Sequence, residues 1–235
     1  MLSHGQSEIR LGRTMLFASS CMDNFFGSHE IDEVMKIANS CQMNRVRQVP
    51  GSRSEPLHVV NYDFYRYLNL KILSLLYPNQ VTMGQISFMS DSRFQCIPKG
   101  VKADGWVHLD MDKILTSIIY LSESTAGTSI YNPKDLFFVP DSPPDKHEYF
   151  SQYEKCEDKD LSMITQKRDD WNNLFEETIS YRGKFNRMVY FDGNEWHASH
   201  INEDDCDRLI LITFFEQITL NGTTINYPIP TMRSR

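Results

Sequence analysis

The spacing of apolar residues divides the chain into a helical N-terminal part and a longer part that is rich in strands. Apolar side chains recur at near-helical intervals in residues 30–40 and again in residues 59–77, where Pro78 predicts the end of the helix. From Val81 onward, short segments of Ile, Val, Phe and Tyr alternate with polar or Gly/Pro turns, which predicts antiparallel strands. The predicted strands cover residues 81–89, 94–98, 105–110, 114–121, 127–132, 187–192 and 207–219.

The order of these elements predicts the fold class. Residues 14–26 add a strand and a turn before the first helix, and residues 43–57 have the Pro, Gly and Ser content of a loop. Short strands behind an N-terminal pair of helices are typical of a jelly roll or barrel with helices packed on one side. We therefore expect one mainly β (α+β) domain over residues 1–235, with helical support in residues 1–80 and a jelly-roll core in residues 81–220.

An acidic insertion, residues 133–183, separates the two groups of predicted strands. Its central part, residues 141–178, contains 11 acidic and 5 basic side chains, whereas the whole chain has a formal net charge of −7. One interpretation is a solvated insertion, and the other is a mobile lid over a site. Residues 169–178 predict a short helix inside it. The charge favours a basic substrate over nucleic acid.

Composition narrows the class of protein. The chain is 40% hydrophobic and 12% aromatic, which is enough for a sizeable core. Its acidic balance argues against a nucleic-acid partner, and no apolar run is long enough to cross a bilayer. The five Cys are odd in number and form no C-x-x-C pair, which argues against a disulfide framework and a thiolate zinc site. With no signal-peptide pattern at the N-terminus, we expect a cytoplasmic protein.

The candidate chemistry begins with a histidine and an aspartate two residues apart. The sequence has no nucleotide-binding glycine motif and no serine-hydrolase motif. His108 and Asp110 would point to the same face of a strand, where one further His would complete the two-His, one-carboxylate set that suits Fe(II). An H-x-[DE] pattern is expected about once by chance in a chain of this composition, so the residues around it must support the assignment.

The residues that follow Asp110 support the assignment of a metal site. After His108 and Asp110 come a strand that ends in Tyr120-Leu121, a turn with Gly127, the segment 187–192, then His197 and Arg208. This order resembles the 2-oxoglutarate- and Fe(II)-dependent dioxygenase superfamily, on its prolyl-hydroxylase-like side. The N-terminal part resembles a small and mostly uncharacterised subgroup, through the segment Cys21-Met-Asp-Asn-Phe-Phe26 and the Pro-Gly-x-Arg loop in Val49-Pro-Gly-Ser-Arg-Ser54.

The resemblance implies a double-stranded β-helix (jelly-roll) core, Fe(II) and 2-oxoglutarate as cofactors, and O2 as co-substrate. It implies a metal site made of His108, Asp110 and His197. Arg208 would bind the far carboxylate of 2-oxoglutarate through two hydrogen bonds, and Tyr120 or Tyr131 could donate a further one. The implied activity is hydroxylation of a peptide or protein side chain, or of a small molecule, with release of succinate and CO2.

Several alternatives stay open at this point. His200 also precedes the last strand, although the spacing favours His197 as the distal ligand. Arg208 could instead pair with Asp207 or Asp205 at the surface, and Tyr120 or Tyr131 could be ordinary core residues. At the level of function, the alternatives are a non-catalytic jelly-roll binding module and a zinc hydrolase that uses His197 and His200.

Overall fold

The computed structural model describes residues 19–46, 49–99, 105–135 and 162–225. Five helices lie within these ranges, and no helix among them is long and apolar enough to cross a membrane. They are α1 (Ser28–Ser40), α2 (Leu57–Val60), α3 (Tyr62–Leu76), α4 (Pro78–Thr82) and α5 (Ser162–Asn172).

Eleven strands account for most of the remaining described residues. They are β1 (Ser20–Met22), β2 (Met43–Arg45), β3 (Ser52–Ser54), β4 (Ile86–Ile97), β5 (Leu115–Tyr120), β6 (Thr128–Pro133), β7 (Phe175–Tyr181), β8 (Met188–Asp192), β9 (Trp196–Ser199), β10 (Arg208–Leu220) and β11 (Thr223–Ile225).

The strands form two antiparallel sheets. The major sheet has the order β1-β8-β5-β10-β4-β3-β2, with β11 paired to β10, and the minor sheet has the order β7-β6-β9. Sequence neighbours are often not sheet neighbours, since β10 lies between β4 and β5. This arrangement confirms the expected mainly β, jelly-roll class with helices on one side.

The central strand β10 is buried on both faces. Leu211 and Phe215 point to one side and pack in the main core with α1 and α3, while Ile210 and Ile212 point to the other side, toward the minor sheet. Alternation along a strand requires this division. The sequence of β10 is therefore almost continuously apolar, as is typical of a strand with both faces covered.

The expectation of two strands in residues 81–98 was wrong, because β4 runs without a break. The polar residues that suggested a turn are satisfied beneath α3. Ser90 Oγ donates to Asn69 Oδ1 (2.8 Å), and Asn69 Nδ2 donates to Ser92 Oγ (3.2 Å), which also accepts from Thr213 Oγ1 (3.0 Å). Buried hydroxyls with partners can be kept inside a sheet, so polarity alone does not end this strand.

Three other expectations need correction. Residues 105–110 are not a strand and contribute only an isolated bridge. Residues 43–57 contain β2, β3 and the start of α2 instead of a loop alone. The helix expected in residues 169–178 lies earlier, in α5, and is followed by β7. β3 forms by pairing with β4, and β7 forms by pairing with β6; local sequence patterns do not contain such pairing.

Candidate metal centre and cavity

A cavity of about 250 Å³ lies between the inner faces of the two sheets. Its walls are formed by alternate residues of β10, β5 and β4 on one side and of β6 and β9 on the other. Aliphatic and aromatic side chains line much of it, and the ionisable lining residues are His108, Asp110, His197, Arg53 and Arg208. Such a mainly apolar cavity with a few convergent polar groups is typical of a small-molecule site.

His108 and His197 are brought together by a β-bridge. The backbone N–H of His108 donates to His197 O (2.9 Å), and the N–H of His197 donates to His108 O (3.0 Å). Directly paired residues have neighbouring side chains on one face, and the two imidazole rings are 4.4 Å apart at their centroids. Two residues that are 89 positions apart in the sequence therefore present their rings side by side.

Each imidazole is held in one tautomer by a backbone carbonyl. His108 Nδ1 is 2.7 Å from Trp106 O, and His197 Nδ1 is 2.8 Å from Glu195 O. A carbonyl oxygen can only accept, so each neutral ring carries its proton on Nδ1 and has its lone pair on Nε2. This is the outer hydrogen bond that metal-binding histidines need.

The Asp110 carboxylate faces both Nε2 atoms. Its oxygens lie 3.8 Å from His108 Nε2 and 3.4 Å from His197 Nε2, and Thr116 Oγ1 donates to it at 2.7 Å. Burial opposes ionisation, but the positive charge that the imidazoles carry when protonated, first that of His197, and the hydrogen bond from Thr116 hold the pKa of Asp110 well below its ordinary value. The carboxylate is thus anionic and held in place.

The three side chains have the donor set and spacing of a metal site. One ligand atom from each of His108, Asp110 and His197 lies within 4.8 Å of the others. Ligand atoms on one ion lie no more than about 4 Å apart, so small side-chain rotations suffice. Two neutral imidazoles and one carboxylate suit Fe(II), Mn(II), Ni(II) or Zn(II), and the expected grouping is present.

Arg208 lies at the other end of the cavity and is 1% exposed. Its Nη2 donates to Gly127 O (3.2 Å), and its guanidinium carbon is 5.6 Å from the centroid of the Tyr120 ring. The proposed surface pairing with Asp207 was wrong. Asp207 accepts from the backbone N–H of Lys99 (3.0 Å), away from the cavity.

Gly127 is required where the chain passes Arg208. A Cβ on Gly127 would lie 1.7 Å from the carbonyl oxygen of Tyr181. Only glycine allows this approach of β6 to its neighbour, and the approach leaves Gly127 O beside the Arg208 guanidinium.

The two tyrosines expected near the co-substrate differ in position. Tyr120 is buried beside Arg208, and its hydroxyl is 2.9 Å from Thr128 Oγ1, on a residue that lines the cavity. Burial raises the pKa of Tyr120, so its phenol stays protonated and can donate. Tyr131 does not line the cavity. It is three residues beyond Thr128 on β6, and alternation places it on the opposite face.

His200 is not part of the metal cluster. Its Nδ1 accepts from the backbone N–H of Gly127 (3.2 Å), and its Nε2 is 2.7 Å from Ser129 Oγ. His200 therefore binds the outer side of the minor sheet, three residues from His197 and on the other face. The grouping that the zinc-hydrolase alternative required does not form.

Helix α5 supports the metal site from outside the predicted set. Trp171 Nε1 donates to Val107 O (2.7 Å), the Asn172 side chain accepts from Val107 N (3.0 Å), and its amide donates to Gly105 O (2.6 Å). These bonds fix the irregular segment directly before His108. Trp171 and Phe175, each 4% exposed, anchor this part of the acidic insertion in the core, whereas residues 176–180 are exposed. Residues 136–161 lie outside the described ranges.

The sequence interpretation also missed Thr116 and Arg53 as site residues. Thr116 carried no signal beyond its place in a predicted strand. Arg53 did have a sequence signal, because it is the arginine of the Pro-Gly-x-Arg loop. That motif alone does not indicate where the side chain points.

Solved structures with a similar fold include two non-haem, alpha-ketoglutarate-dependent enzymes and a protein with 2-oxoglutarate bound. HygX from Streptomyces hygroscopicus, solved with nickel, 2-oxoglutarate and hygromycin B bound, matches with a TM-score of 0.53 and 12% identity, over 86% of this chain and 82% of HygX. SnoK, an alpha-ketoglutarate-dependent carbocyclase from nogalamycin biosynthesis, matches with a TM-score of 0.53 and 10% identity, over 92% and 89%. SnoN, an alpha-ketoglutarate-dependent epimerase from the same biosynthesis, matches with a TM-score of 0.50 and 10% identity, over 91% of this chain and 82% of SnoN.

The fold is thus that of the 2-oxoglutarate- and Fe(II)-dependent oxygenases, which confirms the resemblance seen in the sequence at the level of fold. No protein of curated function matches the sequence. At the level of family, a model described as "family of unknown function (DUF6445)" matches residues 28–207, and the chain belongs to that family.

Proposed function

We propose that this protein is an Fe(II)- and 2-oxoglutarate-dependent oxygenase that hydroxylates a small molecule or a peptide or protein side chain, with release of succinate and CO2. The observation that carries the proposal is the grouping of His108, Asp110 and His197 at one end of a cavity that has a buried arginine at its other end. HygX, with nickel and 2-oxoglutarate bound, has the same fold.

The metal-binding residues are suited to their role before any metal binds. His108 and His197 would each bind through Nε2, since both Nδ1 atoms donate to backbone carbonyls. Asp110 would bind through one oxygen while Thr116 holds the other. Three protein ligands leave coordination positions open on the cavity side, as a metal that binds a co-substrate needs.

The residues at the far end are suited to a dicarboxylate. The Arg208 guanidinium lines the cavity wall and can bind a carboxylate through two parallel hydrogen bonds. Thr128 lines the same end, and its hydroxyl is hydrogen-bonded to Tyr120. An anion that reaches from the metal ligands to Arg208 would meet fixed donors at both ends.

Between these two ends, the cavity lining is apolar. Ile118, Ile210, Ile212 and Phe214 line the cavity, and their side chains keep water from the reacting groups. When bound, iron and 2-oxoglutarate supply the oxidation of a substrate C–H bond by O2. The role of the protein side chains is to hold the metal, orient the co-substrate and exclude water.

Turnover tests the proposal. The Fe(II)-loaded protein is incubated with 2-oxoglutarate, O2 and pools of candidate substrates, and succinate is measured. We expect succinate formation that requires Fe(II), 2-oxoglutarate and O2 and is stimulated by one pool. Asp110→Ala should abolish it, and Asp192→Ala, a change of the same type in a β8 residue outside the cavity, should not. Succinate formation by Asp110→Ala at the wild-type rate would contradict the assignment.

A further inference from the structure

The cavity is lined by a second arginine, Arg53, in addition to Arg208. The proposed binding of 2-oxoglutarate by Arg208 does not explain why Arg53 is there. Arg53, on β3, is half-buried and lines the cavity. Its Nε donates to Gln95 Oε1 (2.9 Å), and Gln95 in turn donates to Pro50 O (2.9 Å). The guanidinium carbon is 5.8 Å from the centroid of the Phe214 ring. These contacts fix the direction of the side chain.

The turn before Arg53 is built to bring β3 against β4. Gly51 has a φ of +76°, and a Cβ there would lie 2.0 Å from the carbonyl oxygen of Cys96. Both features require glycine. The Pro-Gly-x-Arg loop therefore has a structural reason for its glycine, and its arginine is the residue that this close approach delivers to the cavity.

Arg53 has no acidic partner in the part of the chain that the structure describes. The neighbouring carboxylate, Asp91, is held by Arg93, whose Nε lies 2.9 Å from both of its oxygens. Arg53 donates to Gln95 through its Nε, so its two terminal nitrogens remain available to a ligand in the cavity that Arg53 lines. A partly buried guanidinium without a counter-ion is costly, and an anionic ligand would offset that cost.

Arg53 remains a cation at neutral pH. Burial lowers the pKa of Arg53 to about 10, while the carboxylates of Asp91 and Asp110 act in the opposite direction.

The direction of the Arg53 side chain separates the two guanidinium groups. The strand register alone does not, because Arg53 pairs with Gln95 and Gln95 pairs with Ile210, two residues from Arg208. Arg53 contacts Phe214, which pairs with Thr116 across β10 and β5, and Thr116 holds Asp110. Arg208 is six residues from Phe214 on β10, so the two side chains lie on the same face of the strand at different positions along it. A co-substrate that reaches from the metal to Arg208 thus leaves Arg53 available for a second anion.

We propose that Arg53 is a substrate-binding residue, and that the substrate carries an anionic group, a carboxylate or a phosphate, which Arg53 binds beside the metal centre. This inference rests on the proposed function and names the substrate class for the same site. It replaces the expectation of a basic substrate, which came from the acidic insertion, because the lining of the cavity is cationic at this position.

Paramagnetic NMR on the Mn(II)-loaded protein tests the inference without turnover. With saturating 2-oxoglutarate, benzoate, phenyl phosphate or uncharged benzamide is added, and the broadening of the probe's aromatic protons by Mn(II) is measured. We expect broadening for at least one anion and little for benzamide. Arg53→Gln should weaken anion binding by about 10- to 100-fold. Arg53→Lys should recover part of it. Arg187→Gln, which changes an arginine paired with Asp23 outside the cavity, should retain it.

The outcomes separate the two proposals. If Mn(II) or 2-oxoglutarate does not bind, the proposed function fails. If both bind but neither anion is broadened, or Arg53→Gln leaves the broadening unchanged, the inference fails and the proposed function stands. If Arg53→Gln weakens 2-oxoglutarate binding instead, Arg53 belongs to the co-substrate end and the inference is overturned. A stronger response to benzoate than to phenyl phosphate assigns a carboxylate, and the reverse assigns a phosphate.

Discussion

At the residue scale, burial determines what Arg208 can do. A surface arginine beside Asp207 would contribute about 0–1 kcal/mol through an exposed ion pair. The observed side chain is 1% exposed and lines the cavity, where the removal of one partner of a charge pair typically costs about 2–5 kcal/mol. Arg208 is therefore the residue whose substitution should change co-substrate affinity most without touching the metal.

Arg208→Ala is expected to weaken 2-oxoglutarate binding by roughly 30-fold to several-thousand-fold, because a buried carboxylate would lose its bidentate partner. Arg208→Lys should recover part of the affinity, since the charge returns without the planar fork. Titration of the Mn(II)-loaded protein with 2-oxoglutarate measures both. Arg187→Ala, which removes an arginine paired with Asp23 at the surface, is the control. Unchanged affinity in Arg208→Ala would remove this residue from the site.

The grouping of His108, Asp110 and His197 could be predicted from the sequence, and the arginine near it could not. His108 and Asp110 are two residues apart, and His197 stands at a recognisable distance before Arg208. Arg53 reaches the cavity only because β3 pairs with β4, with Arg53 opposite Gln95. That pairing joins residues 42 positions apart, and no local pattern contains it. Tyr131 was wrongly expected near Arg208 for the same reason, since its face depends on the strand register.

At the element scale, the interface of α3 with β4 depends on a buried polar network. Asn69 is fully buried, and its amide and carbonyl groups join Tyr65 O, Ser90 and Ser92. Residues 90–93 are polar but include neither proline nor glycine, the residues that most often end a strand. Its hydroxyls have partners on α3, and those partners are 20 or more residues away in the sequence. This explains why the continuity of β4 was missed.

Asn69→Ala should lower the free energy of unfolding by about 2 kcal/mol, because it leaves buried hydroxyl and carbonyl groups without their partner. Urea denaturation measures this. Asn173→Ala, at an exposed position beyond α5, should change the free energy of unfolding by less than about 0.5 kcal/mol. A destabilisation of Asn69→Ala no larger than that of the control would show that the network contributes nothing to this interface.

Helix α1 is joined to α3 through Glu30. Its carboxylate accepts from the backbone N–H of Gly27, from Lys71 Nζ (2.8 and 2.9 Å) and from the Tyr67 hydroxyl. Lys71 first, then Tyr67 and Gly27, lower the pKa of Glu30 to about 2. The folded-state pKa is below the unfolded one, so the stabilisation is complete above about pH 4.5 and is lost as the pH falls toward 2.

Glu30→Gln should therefore destabilise the protein by about 1 kcal/mol at pH 7, a small value because the side chain is 37% exposed. The difference between wild type and variant should shrink as the pH falls below 4. Chemical denaturation between pH 7 and pH 3 measures both effects. Glu33→Gln, in an exposed pair with Lys36, should show a smaller loss at pH 7. A difference that grows as the pH falls would contradict the assigned direction.

At the scale of the whole molecule, the two sheets bring together residues from distant parts of the chain. One cavity is lined by Arg53 of β3, His108 of an irregular segment, His197 of β9 and Arg208 of β10. These residues share the cavity because the minor sheet covers the inner face of the major sheet. The net charge of −7 gave no sign that the cavity would contain two arginines. Composition describes the surface more than the site.

The most direct test of the central claim is anaerobic titration of the protein with Fe(II) and 2-oxoglutarate, followed by visible absorption. Chelation of Fe(II) by 2-oxoglutarate produces a charge-transfer band that neither component gives alone. We expect this band to saturate at one equivalent of iron in the wild type and to be absent in Asp110→Ala, whose circular dichroism should stay that of a folded protein. No band in the wild type, or an equal band in Asp110→Ala, would contradict the account.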